Sequence, residues 1–220
     1  MMETKRTNGS LEASTVILAA GDFPRRGGAA WAALAAARRV VCCDSAARAY
    51  RRRFGRWPTV TVGDLDSLGP VPAGCAAVRV EDENTNDLEK ALAHCRACGW
   101  NDIVIVGASG RREDHAIGNV FRALEAEVPV LTDYGVFLPV RGHLEGRAPI
   151  GTGVSVFAAD PSVRLTSTGL RWPLDGVRFA SPYCATLNRT AAETFTVSGV
   201  GKAFVYLERT KTARKKKRPA

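Results

Sequence analysis

The sequence reads TVTVGDLDS at residues 59–67, a strand-like run that ends at a glycine and two acids. Alternating threonine and valine are typical of a β-strand, and Gly63 with Asp64 is typical of the turn that ends one. In extended backbone, residues two apart face the same side, so Asp64 and Asp66 can present two carboxylates together. Taken alone, the segment fits an ordinary turn better than a ligand site.

The same arrangement recurs along roughly the first 133 residues. Short apolar runs followed by glycine or acidic residues are typical of parallel strands that are buried on both faces of a sheet. They lie at residues 15–19, 38–43, 76–80, 102–106 and 128–131. Apolar residues spaced three and four apart predict helices between several of them. These helical stretches are 29–37, 45–54, 87–98 and 114–126. Alternating strands and helices predict an α/β domain with a mostly parallel, open sheet.

Helical periodicity disappears after Tyr134. Short apolar runs punctuated by Gly, Pro, Ser and Asp follow, and they predict an antiparallel β-sandwich domain. They lie at residues 136–139, 154–158, 163–166, 177–179, 194–197 and 203–207. The predicted organisation is a disordered N-terminus at 1–14, an α/β domain at 15–135, a β-sandwich domain at 136–208 and a basic tail at 209–220.

The composition is that of a globular protein. The chain has 220 residues, of which 45% are hydrophobic, and this is enough to bury a core. No apolar run approaches the roughly 18 residues that a membrane span needs. The polar residues 1–14 lack the apolar core of a signal peptide. We therefore predict a cytoplasmic protein with no membrane partner.

The positive charge is concentrated at one end of the chain. The formal net charge is +9, but seven cations and no acids lie in residues 209–220, so the rest of the chain carries +2. Such runs are usually disordered and solvated, and a charge run alone carries no sequence specificity. No specific nucleic-acid partner is expected, although a nucleic-acid-binding role for the tail remains an alternative.

The six cysteines fit reduced core or helix residues. Cys95 and Cys98 form a lone CxxC pair, whereas a structural zinc site needs four ligands.

The residues capable of chemistry are concentrated in the segments that follow the predicted strands. Ligands of open α/β sheets bind at the carboxyl ends of the strands, so these residues should gather at one edge of the sheet. They include Asp22, Asp44, Asp64, Asp66, Asp82, Asp87 and the segment 109–114. Carboxylates brought together repel each other, and a cation such as Mg²⁺, which prefers oxygen ligands, would stabilise them. The predicted magnesium ligands are Asp44, Asp64, Asp66 and Asp87. The alternative for Asp87 is a structural role at the start of a helix.

Two further segments carry weaker predictions. Residues 107–115 join a strand to a helix and contain glycines whose backbone N–H groups can approach a phosphate, with Arg111 or Arg112 adding charge. The segment matches neither the P-loop nor the dinucleotide-binding pattern, and His115 by itself fits a structural role. In the second half, Trp172 fits either a core residue or a platform on which a flat ligand stacks.

These motifs, in this order, resemble the thiamine pyrophosphokinase (thiamine diphosphokinase) family over almost the whole chain. GDLDS at 63–67 is similar to the family's Gly-Asp-x-Asp-Ser signature. The acidic segment 82–87, followed by LEKAL, resembles the one that leads into a helix. Residues 107–115 with Gly118 and Asn119 resemble the family's glycine-rich Gly-Gly-Arg-x-Asp-His stretch. TGLRWPL at 168–174 resembles a strand motif of its β domain.

The resemblance implies a homodimer with active sites between subunits. The implied reaction is a Mg²⁺-dependent transfer of diphosphate from ATP to the hydroxyl of thiamine, giving thiamine diphosphate and AMP. The implied catalytic residues are Asp64, Asp66 and Asp87. The residues implied to bind the nucleotide and its metal are Asp44, Ser67, Asn86, Arg112, Asp114 and His115. The residues implied to bind thiamine are Trp172, Thr186 and Asn188.

The sequence departs from the family pattern at several of these positions. Ser45 and Ala46 stand where two glycines are common, and Asn84 and Asn86 replace an Asp and a Thr. Leu187 replaces the serine of a Ser-Asn pair and so removes a hydroxyl near the implied thiamine pocket. Arg111 also stands where a second glycine is usual. These departures motivate an alternative, a non-catalytic nucleotide or thiamine sensor on the same fold.

Overall fold

The first half of the chain forms a parallel sheet covered by helices, as seen in a computed structural model that describes residues 13–209. Its elements are β1 (Thr15–Leu18), α1 (Ala29–Ala36), β2 (Arg39–Cys43), α2 (Ala46–Phe54), β3 (Val60–Gly63), β4 (Ala77–Arg79), α3 (Asp87–Ala97), β5 (Ile103–Val106), α4 (Glu113–Glu125) and β6 (Val130–Leu131). The strands pair in the order β6-β5-β1-β2-β3-β4, all parallel. Successive strands run outward from β1 to β4, and the chain then crosses back to place β5 on the other side of β1. This reversal makes the β1–β5 boundary a topological switch point.

Alternate residues of each central strand pack against opposite layers. Val16 and Leu18 of β1 belong to one core cluster, which includes Leu34 of α1 and Tyr50 of α2. Ile17 belongs to the other core cluster. That second cluster also contains Leu88 and Leu92 of α3 and Leu124 of α4. The two-residue period of a strand therefore divides the helices into one pair on each face. The continuous apolar runs in the sequence reflect this burial on both faces.

The second half of the chain is antiparallel and is divided between two sheets. Its strands are β7 (Gly135–Pro139), β8 (His143–Arg147), β9 (Gly153–Ala158), β10 (Arg164–Thr168), β11 (Ala185–Arg189), β12 (Thr194–Val200) and β13 (Ala203–Glu208). β7 pairs antiparallel with β6, so β7, β13, β9 and β11 extend the parallel sheet to ten strands. The other three strands form a small sheet in the order β10-β12-β8.

The small sheet and the extension of the large sheet form the two layers of the predicted sandwich. Phe195 and Val197 of β12 share a core cluster with Val154 and Val156 of β9 and with Val205 of β13. The predicted fold class, an α/β part with a mostly parallel sheet followed by an antiparallel β part, is confirmed.

Most predicted elements of the first half match the structure to within about two residues, but the second half departs from the prediction in three places. Strands β8 and β11 were not predicted, and the strand predicted at 177–179 is wrong. β8 alternates exposed and buried positions with Leu144 as its only large inward residue. Phe179 is buried, but it enters the core from irregular backbone. An isolated apolar residue can thus be buried without any strand.

Two predictions fall largely outside the described residues, namely the disordered N-terminus 1–14 and the basic tail 209–220. Within the described part, Ser14 already donates its backbone N–H to the Asp102 carboxylate at 2.7 Å. None of the helices formed by residues 13–209 combines the length and the apolar character needed to cross a bilayer.

The fold predicts which thiols are reactive. Cys98 and Cys184 are exposed, whereas the other four cysteines are buried. Burial, followed by the neighbouring Cys98, raises the pKa of the Cys95 thiol to about 11, so at pH 8 only about one molecule in a thousand carries the reactive thiolate. We expect iodoacetamide at pH 8 to label Cys98 and Cys184 in the native protein and to spare Cys95, as measured by peptide mass spectrometry.

The control is the same labelling in denaturant, where all six cysteines should react. Labelling of Cys95 as fast as Cys98 under native conditions would contradict the placement of α3.

Candidate active site

A cavity of about 710 Å³ opens at the carboxyl ends of β1 to β4. Its wall carries six carboxylates against two cations, so it is strongly acidic. The acidic residues are Asp64, Asp66, Glu81, Asp82, Glu83 and Asp87, and the cations are Arg79 and Lys90. We call it the acidic cavity. Parallel strands end at the same edge of the sheet, and for this reason residues far apart in sequence meet there.

Asp44 lies beside this cavity but does not line it. Its side chain is buried, with 4% of the residue exposed, and it follows β2 directly. One carboxylate oxygen accepts the backbone N–H of Ser67 at 3.1 Å, and the other accepts that of Leu68 at 2.9 Å. Asp44, predicted as a magnesium ligand, thus fastens the loop that carries Asp64 and Asp66. Ser67 takes part in this contact through its backbone N–H and not through its hydroxyl.

The loop has a second fastening. Arg48 of α2 donates two hydrogen bonds to the Leu68 carbonyl oxygen, from Nε at 3.1 Å and from an Nη at 2.6 Å. Within the loop, Asp64 accepts the backbone N–H of Asp66 at 3.1 Å. Asp64 is only partly exposed, whereas Asp66 is exposed. The Asp66 carboxylate is therefore accessible to a ligand, while hydrogen bonds from Arg48 and to Asp44 hold the loop backbone in place.

Gly63 makes room for the convergence of the carboxylates. A Cβ atom at this position would lie 3.1 Å from the Asp44 Cβ and 3.1 Å from an Asp87 oxygen, tighter than ordinary van der Waals contact. Close packing favours the glycine that ends β3, whose φ does not lie in the left-handed region. Its absent side chain allows Asp87 to approach Asp44.

Asp87 is a carboxylate of the acidic cavity whose pKa is raised. Burial raises the pKa of Asp87 above its ordinary value, and the charges of Asp44 and Asp64 raise it further. Lys90 and His115 oppose this shift. Lys90 is itself buried, and its Nζ lies 3.8 Å from Asp87 Oδ1. Sequence reasoning missed Lys90, although its spacing of three residues from Asp87 on a helix was an available signal.

Asn86 and Asp82 organise the entrance to α3. Asn86 is the N-cap, because its side chain accepts the Glu89 N–H at 3.0 Å while Glu89 accepts the Asn86 N–H at 3.1 Å. This capping box explains the asparagine at this position. Asp82 accepts hydrogen bonds from the Asn84 backbone and the Thr85 hydroxyl, which lower the pKa of Asp82. Asn86 and Asp82 line the acidic cavity while holding their own loop.

The polar residues of the glycine-rich loop do not all line the acidic cavity. His115 lines the acidic cavity, but Arg112 and Asp114 do not. Arg112 and Asp114 form an exposed two-bond ion pair with each other, at 3.1 and 2.6 Å. Hydrogen bonding from Arg112 lowers the pKa of Asp114 to about 2. Arg111 lies in the left-handed region at φ 62° and lines other cavities instead.

The predicted thiamine residues form a separate cluster on β11 and the loop before it. Asn188 is buried and holds the Trp172 backbone from both sides. Its side-chain oxygen accepts the Trp172 N–H at 3.2 Å, and its amide nitrogen donates to the Trp172 carbonyl at 2.6 Å. Trp172 itself is 51% exposed, which excludes the core interpretation. Thr186 is partly exposed, and Leu187 lies in a β-bulge at φ 63° with 85% of its surface exposed.

One chain does not bring the two clusters together. β11 is the first strand of the ten-stranded sheet and β3 is the ninth, so eight strand spacings separate them. At about 4.8 Å per spacing, the Asn188 strand lies roughly 38 Å along the sheet from the Asp64 strand. No molecule of the size of thiamine spans that distance.

The donor set of the acidic cavity fits a magnesium–phosphate complex. Asp64, Asp66 and Asp87 offer the hard oxygen ligands that Mg²⁺ prefers. The pKa of Asp87 is raised by burial first and then by the charges of Asp44 and Asp64, and a bound cation would relieve this repulsion. Within residues 13–209, no three His, Cys, Asp or Glu side chains already stand close enough to hold an ion. Magnesium commonly takes only one or two carboxylates, with phosphate oxygens and water completing its shell, so this spacing is compatible with it.

The molecule is thus an α/β sheet with a carboxylate-lined cavity at its strand ends, where ligands of open sheets bind, followed by a β-sandwich. The family model "Thiamin pyrophosphokinase, catalytic domain" matches residues 30–131, and "Thiamin pyrophosphokinase, substrate-binding domain" matches residues 135–206. The chain belongs to the thiamin pyrophosphokinase family, which is a family of enzymes.

Individual relatives are distant. Thiamine pyrophosphokinase 1 of Oryza sativa subsp. japonica is 29% identical over 148 residues, which cover 54% of this chain and about half, 53%, of the rice protein. The solved structure of a thiamin pyrophosphokinase family protein from Enterococcus faecalis has a TM-score of 0.71 at 15% identity, covering 91% of this chain and 100% of that one. Thiamine pyrophosphokinase from Bacillus subtilis gives 0.69 at 17% identity, covering 90% and 99%. At these identities the two structures show a shared fold.

The two kinds of aspartate should respond differently to the same substitution. In wild type both oxygens of Asp44 accept backbone N–H groups, and Asp44→Asn would place an NH₂ donor against one of these N–H donors. We therefore expect a loss of about 1–3 kcal/mol in unfolding free energy, together with lost activity. Asp66→Asn, at an exposed carboxylate, should abolish activity while leaving the midpoint of thermal unfolding within about 2 °C of wild type.

Thermal melts and turnover measured on the same preparations check this pair. If Asp44→Asn is as stable as Asp66→Asn, the fastening role of Asp44 is wrong.

Proposed function

We propose that the protein transfers diphosphate from ATP to the primary hydroxyl of thiamine, giving thiamine diphosphate and AMP, in a reaction that requires Mg²⁺. The observation that carries the proposal is the convergence of Asp64, Asp66 and Asp87 on one acidic cavity at the strand ends. Family membership supports the choice of thiamine as acceptor.

The chain's own residues would position the reactants. Asp64, Asp66 and Asp87 would hold the magnesium ion, which supplies neutralisation of the charge on the phosphate oxygens. Asp44 and Arg48 fix the loop that carries two of these carboxylates. Because that loop is fixed before the substrates bind, less reorganisation is needed during the reaction.

The bond changes are those of an in-line substitution at phosphorus. The thiamine hydroxyl oxygen forms a bond to the β-phosphorus of ATP, and the bond from that phosphorus to the oxygen bridging to the α-phosphorus breaks. AMP leaves with that oxygen, and the hydroxyl proton passes to a carboxylate of the acidic cavity. The acidic wall also favours the cationic thiazolium ring of thiamine over neutral alcohols.

The nucleotide-binding part of the proposal involves the start of α3 and of α4. Asn86 and His115 line the acidic cavity, and both lie in or next to the first turn of a helix, where backbone N–H groups favour anions. Arg112 and Asp114 would have to release their mutual ion pair, or bind the nucleotide as a pair, to take part.

We propose further that the active site is shared between two copies of the chain. The Trp172 cluster and the acidic cavity lie roughly 38 Å apart along one sheet, so thiamine can contact both only if they come from different subunits. Trp172 would offer an exposed ring face, and Asn188 would hold it in orientation. Thr186 offers a hydroxyl near Leu187, whose own position lacks one.

Product identity tests the reaction. With ATP, Mg²⁺ and thiamine, we expect equal amounts of AMP and thiamine diphosphate by chromatography, and no turnover when EDTA removes the metal. Formation of ADP with thiamine monophosphate would exclude diphosphate transfer. Tight binding of ATP or thiamine without any product would favour the sensor alternative.

Subunit complementation tests the shared site. Asp66→Asn and Trp172→Ala should each lose most activity as homodimers. When the two variants are co-expressed and mix randomly, half of the dimers are heterodimers, each with one intact site, so activity should return to about a quarter of wild type. If each site were built from a single chain, no mixed dimer would contain an intact site and no activity would return.

The control for complementation is a mixture of Asp66→Asn with Asp64→Asn. Both changes lie in the same acidic cavity, so neither arrangement of subunits restores a complete site.

A further inference from the structure

A second cavity, of about 640 Å³, lies at the topological switch point between β1 and β5. Its walls come from the loops after β1, β5 and β6 and from one side of α2, with Ala30 of α1. It shares no lining residue with the acidic cavity. In open α/β sheets, the crevice at such a switch point is a common place for a ligand. The proposed reaction does not use it.

The wall of this second cavity is basic. Four arginines line it, Arg25, Arg52, Arg53 and Arg111, and two acids, Asp22 and Asp133. We call it the arginine cavity. Asp133 is already engaged, because it accepts the Arg25 backbone N–H at 3.1 Å and lies 3.7 Å from the Arg25 Nε. Three arginines therefore face one remaining carboxylate.

These three guanidinium groups keep most of their hydrogen-bonding capacity. Among residues 13–209, Arg52 has no hydrogen-bond or ion-pair partner, and Arg53 only stacks over the Phe23 ring at 4.3 Å. Arg111 donates a single hydrogen bond, to the Ala20 carbonyl at 3.1 Å. A guanidinium carries five N–H donors suited to phosphate oxygens. Unpaired arginines around a concave surface thus match an anion with several oxygens.

The aromatic residues of the cavity hold two of its arginines in place. The ring of Phe23 is covered by Arg53, and the ring of Tyr134 is covered by Arg25 at 5.0 Å, whose Nη also donates to the Tyr134 hydroxyl at 2.6 Å. Each ring thus bears a guanidinium on one face, and these contacts hold Arg25 and Arg53 at the wall of the cavity. The unpaired guanidinium groups suit a phosphate group.

We infer that the arginine cavity is a second binding site, which takes a phosphate or diphosphate group through Arg52, Arg53 and Arg111. The group can be a free inorganic anion or the end of a larger phosphorylated molecule, since the chemistry recognised is the same. A small third cavity, of about 210 Å³, lies between the two larger ones. It shares Ala19 and Ala20 with the acidic cavity, and Arg52 and Arg111 with the arginine cavity. The anion site thus borders the proposed active site without sharing its carboxylates.

The test measures binding without catalysis, so its outcome is independent of the proposed reaction. Inorganic diphosphate is titrated calorimetrically into the full-length protein in EDTA, where no magnesium links the anion to the acidic cavity. We expect saturable binding with one diphosphate per chain. Arg52→Gln should weaken it about tenfold, because a charge-assisted contact to the anion is lost.

Arg51→Gln is the matched control. Arg51 is exposed on the same helix and lies over the Trp57 ring instead of lining the arginine cavity. Its substitution by glutamine removes the same positive charge as Arg52→Gln does. We expect its affinity for diphosphate to stay within about twofold of wild type. Absence of saturable binding to the wild type, or equal weakening by Arg51→Gln and Arg52→Gln, would overturn the inference.

Two additions complete the experiment. Arg53→Gln is a second variant that should also weaken binding, and circular dichroism melts check that each variant is folded. Titrations of AMP and of thiamine diphosphate identify the carrier of the phosphate group. A ligand whose affinity falls with Arg52→Gln but not with Arg51→Gln binds through the arginine cavity, and a response by inorganic diphosphate alone supports a site for the free anion.

Discussion

Two backbone N–H groups donated to the buried carboxylate of Asp44 connect the end of β2 to the loop after β3. The loop that they hold contains Leu65 in the left-handed region at φ 67°, and Asp44 itself has φ 36°. Such conformations cost of order 1 kcal/mol or more for residues other than glycine. Hydrogen bonds to a charged acceptor contribute about 1.5–3 kcal/mol each, which offsets this strain. The position of Asp64 and Asp66 in the acidic cavity therefore depends on an aspartate that does not line the cavity.

The antiparallel pairing of β6 with β7 has a comparable effect on the whole molecule. It makes the sandwich strands a continuation of the parallel sheet, so the second half of the chain extends away from the acidic cavity. Backbone hydrogen bonds hold each strand about 4.8 Å from the next, so the distance along the sheet grows with every strand that is added. The distance between the Trp172 cluster and the acidic cavity follows from this topology and not from any side chain. A site that needs both clusters must recruit the second from another copy of the chain.

The sequence was informative where burial and chain direction act together. Parallel strands buried on both faces are continuous apolar runs, and they end at one edge, so the meeting of Asp64, Asp66 and Asp87 could be predicted from their positions after strands. The roles of Asp44 and Asn188 could not be predicted in this way. An aspartate that binds a metal has the same sequence signature as one that accepts backbone N–H groups, and an asparagine that holds backbone has the same signature as one that contacts a ligand. β8 and β11 were missed for a related reason, since each has a half-exposed, mostly polar sequence whose burial depends on the opposite sheet. The capping box at Asn86 was recognisable from its spacing to Glu89, but Asp87 was the residue predicted to have the structural role at the start of the helix.

Helix α2 shows how a uniform charge run acquires different roles in three dimensions. In the sequence, its arginines resemble a solvated face. In the structure, Arg48 is bound to the Leu68 carbonyl, whereas Arg52, one turn later on the same side, lines the arginine cavity. The first turn of the helix therefore stabilises the acidic cavity and the second turn provides the wall of a basic one. The two cavities differ in the sign of their charge and share no lining residue, although both border the same small third cavity. Loops after different strands and one side of α2 form the two walls, so the edge of a parallel sheet can present an acidic and a basic surface next to each other.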